Sequence, residues 1–260
     1  MPVTRYPAVT PLSPYRKAII IGASKGLGAA LARRLAREGY LLALVGRDAE
    51  ALNHLCAEIN QAAGETRARP YLHDVTVYAE VPDLLQEMLL ALGGLDLFIY
   101  NAGVLLPTTP LTYEVEKDLK TMEVNALGAI AWFNAVAPVF QALGSGQIVG
   151  ISSVAGDRGR VANPAYNASK AALSTYLEAL RNRLTRHGVH VLTVKPSFMA
   201  TDMLKSSPRT FWVAAPETAA DDIWNALQRR KQTLYTLGRW GLVMLIIRHI
   251  PSVIFRRLSF

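Results

Sequence analysis

The sequence predicts a doubly wound α/β fold built as a single domain, with a parallel sheet covered by helices on both faces. Short, continuously apolar runs of strand length alternate with longer runs of helical spacing along most of the chain. Strands that are apolar throughout are typical of a sheet buried on both faces. Right-handed crossovers between successive parallel strands then favour the doubly wound arrangement. A length of 260 residues is enough for such a domain to bury a core.

The first half of the chain supplies four of the predicted strands and three helices. A glycine-rich turn follows the first strand, and the helical stretch after it ends at Gly39. Further helices are predicted over Ala49–Ala63 and Val81–Leu92, where apolar residues recur at helical spacing. The four apolar strands read "KAIII", "YLLALVG", "ARPYLHDV" and "LDLFIYNAG".

The second half of the chain repeats the alternation with two more strands. A long helix passes through Asn125 and leads to the fifth strand, "GQIVGISS". A helix over residues 166–187 then precedes the sixth strand, "VHVLTVKP". No internal repeat, low-complexity tract or linker divides the sequence. The six strands and their helices therefore predict the Rossmann arrangement.

The charge of the chain is concentrated near its end. The formal net charge is +8, from 28 basic and 20 acidic residues. Residues 1–222 are nearly neutral, whereas the remainder carries no acid and seven cations. These cations are Arg229, Arg230, Lys231, Arg239, Arg248, Arg256 and Arg257. This distribution argues against a nucleic-acid-binding protein and predicts a local contact with an anionic partner.

Three segments differ in composition and define the predicted organisation. Residues 1–16 form an irregular leader with four prolines, residues 17–238 form the α/β domain, and residues 239–260 form a C-terminal amphipathic segment. The leader has no apolar stretch of signal-peptide length, so we expect a cytoplasmic protein. The single cysteine, Cys56, falls on a helical apolar pattern typical of core. The five histidines lack metal-ligand spacing, so no metal is predicted.

The final stretch, "GLVMLIIRHIPSVIFRRLSF", mixes apolar residues with arginines. A membrane-spanning helix needs about 20 mostly apolar residues. Here Arg248 and His249 interrupt the apolar run, and Pro251 breaks a helix directly afterwards. The segment is therefore predicted not to span a membrane. Two interpretations remain open: it covers the core or a subunit contact, or it attaches the protein peripherally to an anionic membrane surface.

The turn after the first predicted strand reads "GASKGLG". Glycines there let the backbone approach a pyrophosphate, and the following helix N-terminus supplies N–H donors. Lys25 lies inside this turn, and Arg47 follows the second strand, where an acidic residue selects NAD. Two cations at these places predict a bound 2′-phosphate and hence NADP(H) as the cofactor. The alternative is that both are solvated charges and that Asp48 binds the ribose.

A second motif, "YNASK", places Tyr166 and Lys170 four residues apart on one face of a predicted helix. A neighbouring cation favours the phenolate and lowers the pKa of a tyrosine toward the range useful for proton transfer. Ser153 follows the fifth strand, at the edge of the sheet where ligands bind. Asn125 is polar among apolar helical residues; the alternative to a functional role is a local hydrogen bond between helices.

These motifs together resemble the short-chain dehydrogenase/reductase family from about residue 17 to residue 201. The resemblance implies that Tyr166 is the general acid in reduction and that Lys170 holds the nicotinamide ribose while lowering the pKa of Tyr166. It also implies that Ser153 steadies the substrate oxygen and that Asn125 completes a proton relay through water. The implied cofactor-binding residues are Gly22, Ser24, Lys25, Gly26, Leu27, Gly28, Arg47, Asp74, Asn101, Ala102, Gly103, Tyr166, Lys170, Pro196 and Thr201.

The same resemblance gives finer expectations for the cofactor site. Asp74 is expected at the adenine, Thr201 at the nicotinamide carboxamide, and Asn101 beside the cofactor as a stabiliser of the sheet. The sequence departs from the family pattern twice. Ile21 replaces the usual threonine, which removes a hydroxyl that ties the glycine turn to the "NAG" segment. Ser197 replaces the glycine of the usual Pro-Gly after the sixth strand.

A narrower resemblance lies downstream of Ser153. The stretches "SSVAGDRGR" and "NPAYNASKAAL" and the ending "IIRHIPSVIFRRL" are similar to decaprenylphosphoryl-2-keto-erythro-pentose reductases, which reduce a keto-sugar on a polyprenyl phosphate. Arg158 and Arg160 follow Ser153 closely, and one of them is expected to contact an anionic part of the substrate. The alternative for this pair is a solvated loop.

The expected function is NADP(H)-dependent transfer of a hydride between nicotinamide and a ketone or secondary alcohol. The expected partners are a small-molecule or lipid-linked ketone, an anionic membrane surface and further copies of the chain in a homo-oligomer; no nucleic acid is expected. One alternative is a reductase of 3-keto lipids. The other is a catalytically silent, cofactor-binding regulator, which the complete set of four catalytic residues opposes.

Overall fold

Seven parallel strands form one sheet in a computed structural model that describes residues 15–109, 111–206 and 210–258. The predicted leader lies almost entirely outside the described residues. The strands are β1 (Lys17–Ile21), β2 (Leu41–Gly46), β3 (Ala68–Leu72), β4 (Leu97–Tyr100), β5 (Gln147–Ile151), β6 (His190–Lys195) and β7 (Thr233–Tyr235). Their order in the sheet is β3-β2-β1-β4-β5-β6-β7. Successive strands are added to one side of β1 up to β3 and to its other side from β4 onward, so the strand order reverses between β1 and β4. The predicted doubly wound α/β fold is confirmed.

Helices connect the strands and end where the sequence supplies stop signals. They are α1 (Gly26–Arg37), α2 (Ala49–Ala63), α3 (Val81–Leu92), α4 (Val115–Met122), α5 (Gly128–Leu143), α6 (Pro164–Leu184), α7 (Pro216–Gln228), α8 (Arg239–His249) and α9 (Ser252–Phe255). The Asp48 side chain caps the start of α2 by accepting from the Ala51 amide at 3.1 Å. Gly64 ends the same helix in the left-handed conformation, with φ of 70°.

The sheet has a hydrophobic core on each face, because successive side chains of a strand point to opposite sides. On β1, Ile20 joins one core, and Ile19 and Ile21 join the other. Within the described residues, the helical stretch Val115–Leu143 is the one segment apolar and long enough to cross a membrane. Its Trp132 and Phe133 are fully buried in the second core, so core packing accounts for part of this apolar character.

Three elements differ from the sequence-based expectation. A seventh strand, β7, pairs in parallel with β6, whereas six strands are predicted. The helix predicted over residues 166–187 begins two residues earlier, at Pro164, and ends at Leu184 before a short 3₁₀ turn. The helix through Asn125 is interrupted by a π-helical turn over Glu123–Leu127. The earlier start of α6 has a local cause, since proline is favoured at the first helical position, whereas β7 depends on its pairing with β6.

Candidate active site

A cavity of about 1140 Å³ opens at the carboxyl ends of β1, β2 and β4, where the strand order reverses. Crevices at this point of doubly wound sheets bind ligands. Most of the predicted cofactor residues line the cavity: Gly22, Ser24, Lys25, Gly26, Leu27, Arg47, Asn101, Ala102, Gly103 and Thr201. The segment from Met199 to Met203 lines one side of the cavity, and Thr201 is the residue of this segment that is predicted to bind the cofactor.

The glycine turn packs so closely against neighbouring backbone that two of its positions have no space for a side chain. Gly22 has φ of 82°, and a side chain there would bring its Cβ within 2.6 Å of the Ala102 nitrogen. A Cβ on Gly28 would overlap the carbonyl oxygen of Gly22. Helix α1 begins at Gly26 with no capping side chain and no acid in its first turn. Its first N–H groups and the positive end of its dipole therefore fit a pyrophosphate.

Hydrogen bonds from Asn101 join the glycine turn to the end of β4. They link the two segments although Ile21 lacks the hydroxyl of the usual threonine. Asn101 directly follows β4, and its Nδ2 donates to the carbonyl oxygen of Gly22 at 2.6 Å. The Asn101 amide nitrogen also donates to the Ile21 carbonyl at 2.9 Å. The apolar Ile21 side chain is fully buried in the core. Asn101 therefore joins the end of β4 to the end of β1 and to the glycine turn, at the edge of the cavity.

Two ion pairs lie at the end of the cavity that is next to the carboxyl end of β2. Lys25 Nζ is 3.1 Å from Asp48 Oδ2, and Arg47 Nη1 is 3.4 Å from Asp74 Oδ2. The Lys25 and Arg47 side chains are 64% and 58% exposed, so both remain accessible to a ligand despite these ion pairs. Asp48 is engaged as the cap of α2, and the Ala51 N–H, followed by Lys25, lowers its pKa.

The predicted catalytic pair lies at the carboxyl end of β5. Tyr166 and Lys170 are on the first two turns of α6, with Lys170 Nζ 5.9 Å from the centre of the Tyr166 ring. Lys170 is buried, and its Nζ donates to the Ile151 carbonyl oxygen at 2.9 Å. Ser153 follows β5; its hydroxyl donates to the Pro196 carbonyl oxygen at 3.4 Å, and the same side chain lowers the pKa of Tyr166. The structure thus brings Ser153, Tyr166 and Lys170 together.

The pKa of Tyr166 differs from expectation. Burial raises it above its ordinary value, and this effect outweighs the effects of the Ser153 side chain and of the Arg160 charge, which both lower it. The cation that lowers the pKa of Tyr166 here is Arg160, whereas the resemblance assigns this effect to Lys170. A raised pKa keeps the phenol protonated at neutral pH. That state is the one required of a proton donor in reduction.

Asn125 is fully buried in the π-helical turn and holds the segment after β4. Its Nδ2 donates to the Val104 carbonyl at 2.9 Å and to Ser169 Oγ at 3.1 Å, and its Oδ1 accepts from the Val104 amide at 2.7 Å. Both side-chain N–H donors are therefore engaged. A Cβ on Gly103 would lie 3.3 Å from both Asn125 Oδ1 and Lys170 Nζ. Asn125 thus keeps the segment at Gly103 close to the Lys170 ammonium group. Because both hydrogens on Nδ2 are engaged, Asn125 could take part in a proton relay only through its side-chain oxygen or its backbone carbonyl oxygen.

The sequence does not distinguish Arg158 from Arg160, but the structure separates them. Arg158 Nη1 donates to the Arg248 carbonyl at 2.9 Å, and its guanidinium lies over the Phe255 ring at 4.3 Å. Arg160 instead lies toward Tyr166, and its buried Nε has no hydrogen-bond partner among the described residues. Met203 was also missed; its Sδ is 3.9 Å from the Tyr166 hydroxyl.

The pH dependence of reduction is expected to report on Lys170. Burial lowers the pKa of its ammonium group to about 8, whereas burial raises the pKa of Tyr166. As pH rises through 8, Lys170 is therefore the group that loses its proton first. We expect kcat/KM for ketone reduction to decline above about pH 8. In Lys170→Arg the side chain stays charged, so the decline should move to higher pH. An unchanged decline would assign it to another group.

A glycine cradle beside a buried ammonium and a protonated phenol is the arrangement of a nicotinamide-dependent oxidoreductase. Residues 16–211 match the short chain dehydrogenase family, and the chain belongs to this family. Its members use NAD(H) or NADP(H), act on small molecules and often assemble as oligomers.

Curated relatives and a solved structure agree with this assignment. The chain is 30% identical over 217 residues to the ketoacyl reductase HetN of Nostoc sp., covering 82% of this chain and 75% of that protein. It is 39% identical over 189 residues to an uncharacterized oxidoreductase of Myxococcus xanthus, covering 73% and 74%. A short-chain type dehydrogenase/reductase from Mycobacterium ulcerans has the same fold, with a TM-score of 0.76 at 22% identity and coverage of 85% and 87%.

Proposed function

We propose that the protein is an NADPH-dependent reductase of a ketone carried by a lipid. The observation that carries the proposal is the meeting of Ser153, Tyr166 and Lys170 beside a cavity that fits a dinucleotide. Two residues that line this cavity, Gly103 and Met203, are neighbours of Lys170 and Tyr166. Bound NADPH supplies the hydride for the carbonyl carbon. Ser153 positions the carbonyl oxygen, and the Tyr166 hydroxyl gives that oxygen its proton. Lys170 and the glycine turn orient the ribose and the pyrophosphate.

The preference for NADPH over NADH rests on charge at the end of the cavity beyond β2. Lys25 and Arg47 line the cavity there and are mostly exposed, so both are available to pair with a phosphate. Asp48 is the acid that would otherwise bind the ribose hydroxyls. Its carboxylate already accepts from the Ala51 amide and pairs with Lys25, which supports the choice of NADPH.

The substrate is proposed to be a keto-sugar linked to a polyprenyl phosphate, on the narrower resemblance and on the apolar surface of the C-terminal segment. The second candidate is a 3-keto lipid, which the similarity to a ketoacyl reductase favours. Both substrates reside in a bilayer, so we expect the enzyme in the cytoplasm at the inner face of a membrane. A homo-oligomer is the proposed assembly.

A direct assay tests the proposed function. NADPH oxidation is followed with a lipid-phosphate keto-sugar, a 3-keto lipid and a short neutral ketone as substrates. The proposal expects turnover with NADPH and the highest kcat/KM for the lipid-phosphate keto-sugar. A higher value for the 3-keto lipid would favour the second candidate. Tight NADPH binding without turnover of any ketone would favour a catalytically silent regulator.

Arg160 is expected to bind an anionic group of the substrate. Its buried Nε has no hydrogen-bond partner among the described residues, and its charge acts on Tyr166; both observations support this role. Arg160→Ala should lower kcat/KM for a phosphate-bearing ketone by about 10- to 100-fold, because charge-assisted hydrogen bonds contribute about 1.5–3 kcal/mol. A neutral ketone of the same length serves as the comparison. An equal loss with both substrates would reject the phosphate contact.

A further inference from the structure

The C-terminal helix α8 is apolar on two opposite sides, and the protein covers only one of them. Its inner side packs against the domain through Trp240 and Met244, which are 8% and 0% exposed. Its outer side carries Leu242, Leu245 and Ile246, which are 65%, 54% and 60% exposed. A helix that is apolar all round is normally buried on all sides. The outer side of α8 therefore lacks a covering surface among the described residues.

The exposed apolar surface continues beyond Pro251. Val253 and Ile254 on α9 are 59% and 53% exposed, and Leu258 is 37% exposed. We name these six residues the outer C-terminal face: Leu242, Leu245, Ile246, Val253, Ile254 and Leu258. Clustered exposed apolar residues of this kind mark a surface that is covered by a partner or a membrane.

The charges around this face indicate which partner covers it. Arg256 and Arg257 are exposed, and neither forms an ion pair in the part of the chain that the structure describes. No acidic residue occurs after Asp222. A two-fold contact between copies of this face would place arginines against arginines, which is unfavourable. Anionic phosphates above an apolar layer complement both the charge and the hydrophobicity.

We propose that the outer C-terminal face binds an anionic phospholipid bilayer, with its apolar side chains at the lipid boundary and its arginines among the phosphates. This inference deepens the proposed function, since it names the surface from which the enzyme would take a lipid-borne ketone. It does not depend on the reaction itself, because binding to vesicles is measured without turnover.

The inner side of the same segment contacts the substrate side of the active site. Trp240 makes edge-to-face ring contacts with Phe198 and Trp212, at 5.9 and 5.5 Å between ring centres. Val154, the neighbour of Ser153, belongs to the same apolar cluster as Trp240 and Met244. Arg158 adds a hydrogen bond to α8 and a ring contact to α9. A bilayer under the outer face would therefore lie one helix away from the loop that follows Ser153.

Vesicle sedimentation tests the proposal on the full chain. Vesicles of phosphatidylcholine with 30% or no phosphatidylglycerol are compared at about 0.05 and 0.5 M salt, which changes the screening length several-fold. We expect sedimentation with the anionic vesicles at low salt and its loss at high salt. Arg256→Gln with Arg257→Gln should lower partitioning about 30-fold, on the basis of about fivefold for each cation. Arg183→Gln with Arg186→Gln, exposed on another surface, is the matched control.

The apolar part of the face is tested with Leu245→Ser and Ile254→Ser together. Both side chains are more than half exposed, so the variant should fold, and partitioning should fall at least tenfold. The matched control is Leu72→Ser with Leu90→Ser, which are 63% and 68% exposed on β3 and α3. Full-chain protein that stays in solution with anionic vesicles at low salt would overturn the proposal.

Two further results also count against the proposal. Equal losses in the test and control variants would overturn it, as would a smaller oligomer with unchanged vesicle binding, which would identify the face as a contact between copies. Reduction of a short neutral ketone without vesicles should be unaffected by these substitutions. That assay separates a failure of membrane binding from a failure of the proposed function.

Discussion

Tyr166→Phe is expected to lower the rate of ketone reduction by about 10²–10⁴-fold, the range typical of general acid catalysis. The substitution removes the phenol hydroxyl, whose pKa the Ser153 side chain affects, and keeps the ring beside Lys170. The contacts that hold Lys170 are unchanged, since its Nζ donates to the backbone of Ile151. Steady-state NADPH oxidation measures the loss, and a fluorescence titration with NADPH should show binding close to that of the wild type.

A second tyrosine on the same helix provides the control. Tyr176 lies ten residues further along α6, stacks on Phe133 and accepts a hydrogen bond from Asn134 at 3.0 Å. Tyr176→Phe removes a partly exposed hydroxyl in the same way but away from the cavity, so its turnover should match the wild type. Near-normal turnover of Tyr166→Phe with intact NADPH binding would show that Tyr166 is not the proton donor.

Replacing both Lys25 and Arg47 with alanine is expected to lower the ratio of NADPH affinity to NADH affinity about 100-fold. Charge-assisted hydrogen bonds contribute about 1.5–3 kcal/mol each. Both side chains are more than half exposed, so solvent screening places each near the low end, at about tenfold. Dissociation constants for the two cofactors, measured by titration, give the ratio directly.

The control for this variant replaces two exposed cations outside the cavity, Arg37 and Arg69, with alanine. It changes the net charge by the same amount, so it reveals any general electrostatic effect on the binding of an anionic cofactor. A loss shared equally by NADPH and NADH in the Lys25 and Arg47 variant would show that these side chains do not contact the 2′-phosphate.

The first half of the fold could be predicted in detail because its signals are local. The helix over Ala49–Ala63 is bounded by the Asp48 cap and by Gly64, and the helix over Val81–Leu92 ends at Gly93 in the same left-handed conformation. Glycines in the turns between the helices and strands mark where these elements end. The meeting of Ser153 with Tyr166 also follows from sequence, since both are near the carboxyl end of β5.

Other features depend on contacts that the local sequence does not carry. β7 has three residues, none of them buried, and forms only because β6 presents a free edge. The difference between Arg158 and Arg160 arises from the return of α8 and α9 to the active-site loop. The raised pKa of Tyr166 is set by burial, which the tertiary structure creates. The sequence shows that these groups are present, but not which neighbour each one meets.

The π-helical turn over Glu123–Leu127 makes the active site sensitive to the deletion of a single residue within this turn. A π turn contains one more residue than an α turn of the same rise, so loss of a single codon here would restore a regular helix. Each residue of an α-helix contributes a rotation of about 100°. The Asn125 side chain would then turn away from Val104, and Gly103 would lose the support that keeps it beside Lys170. An in-frame deletion that spares every catalytic group would thus disable the enzyme.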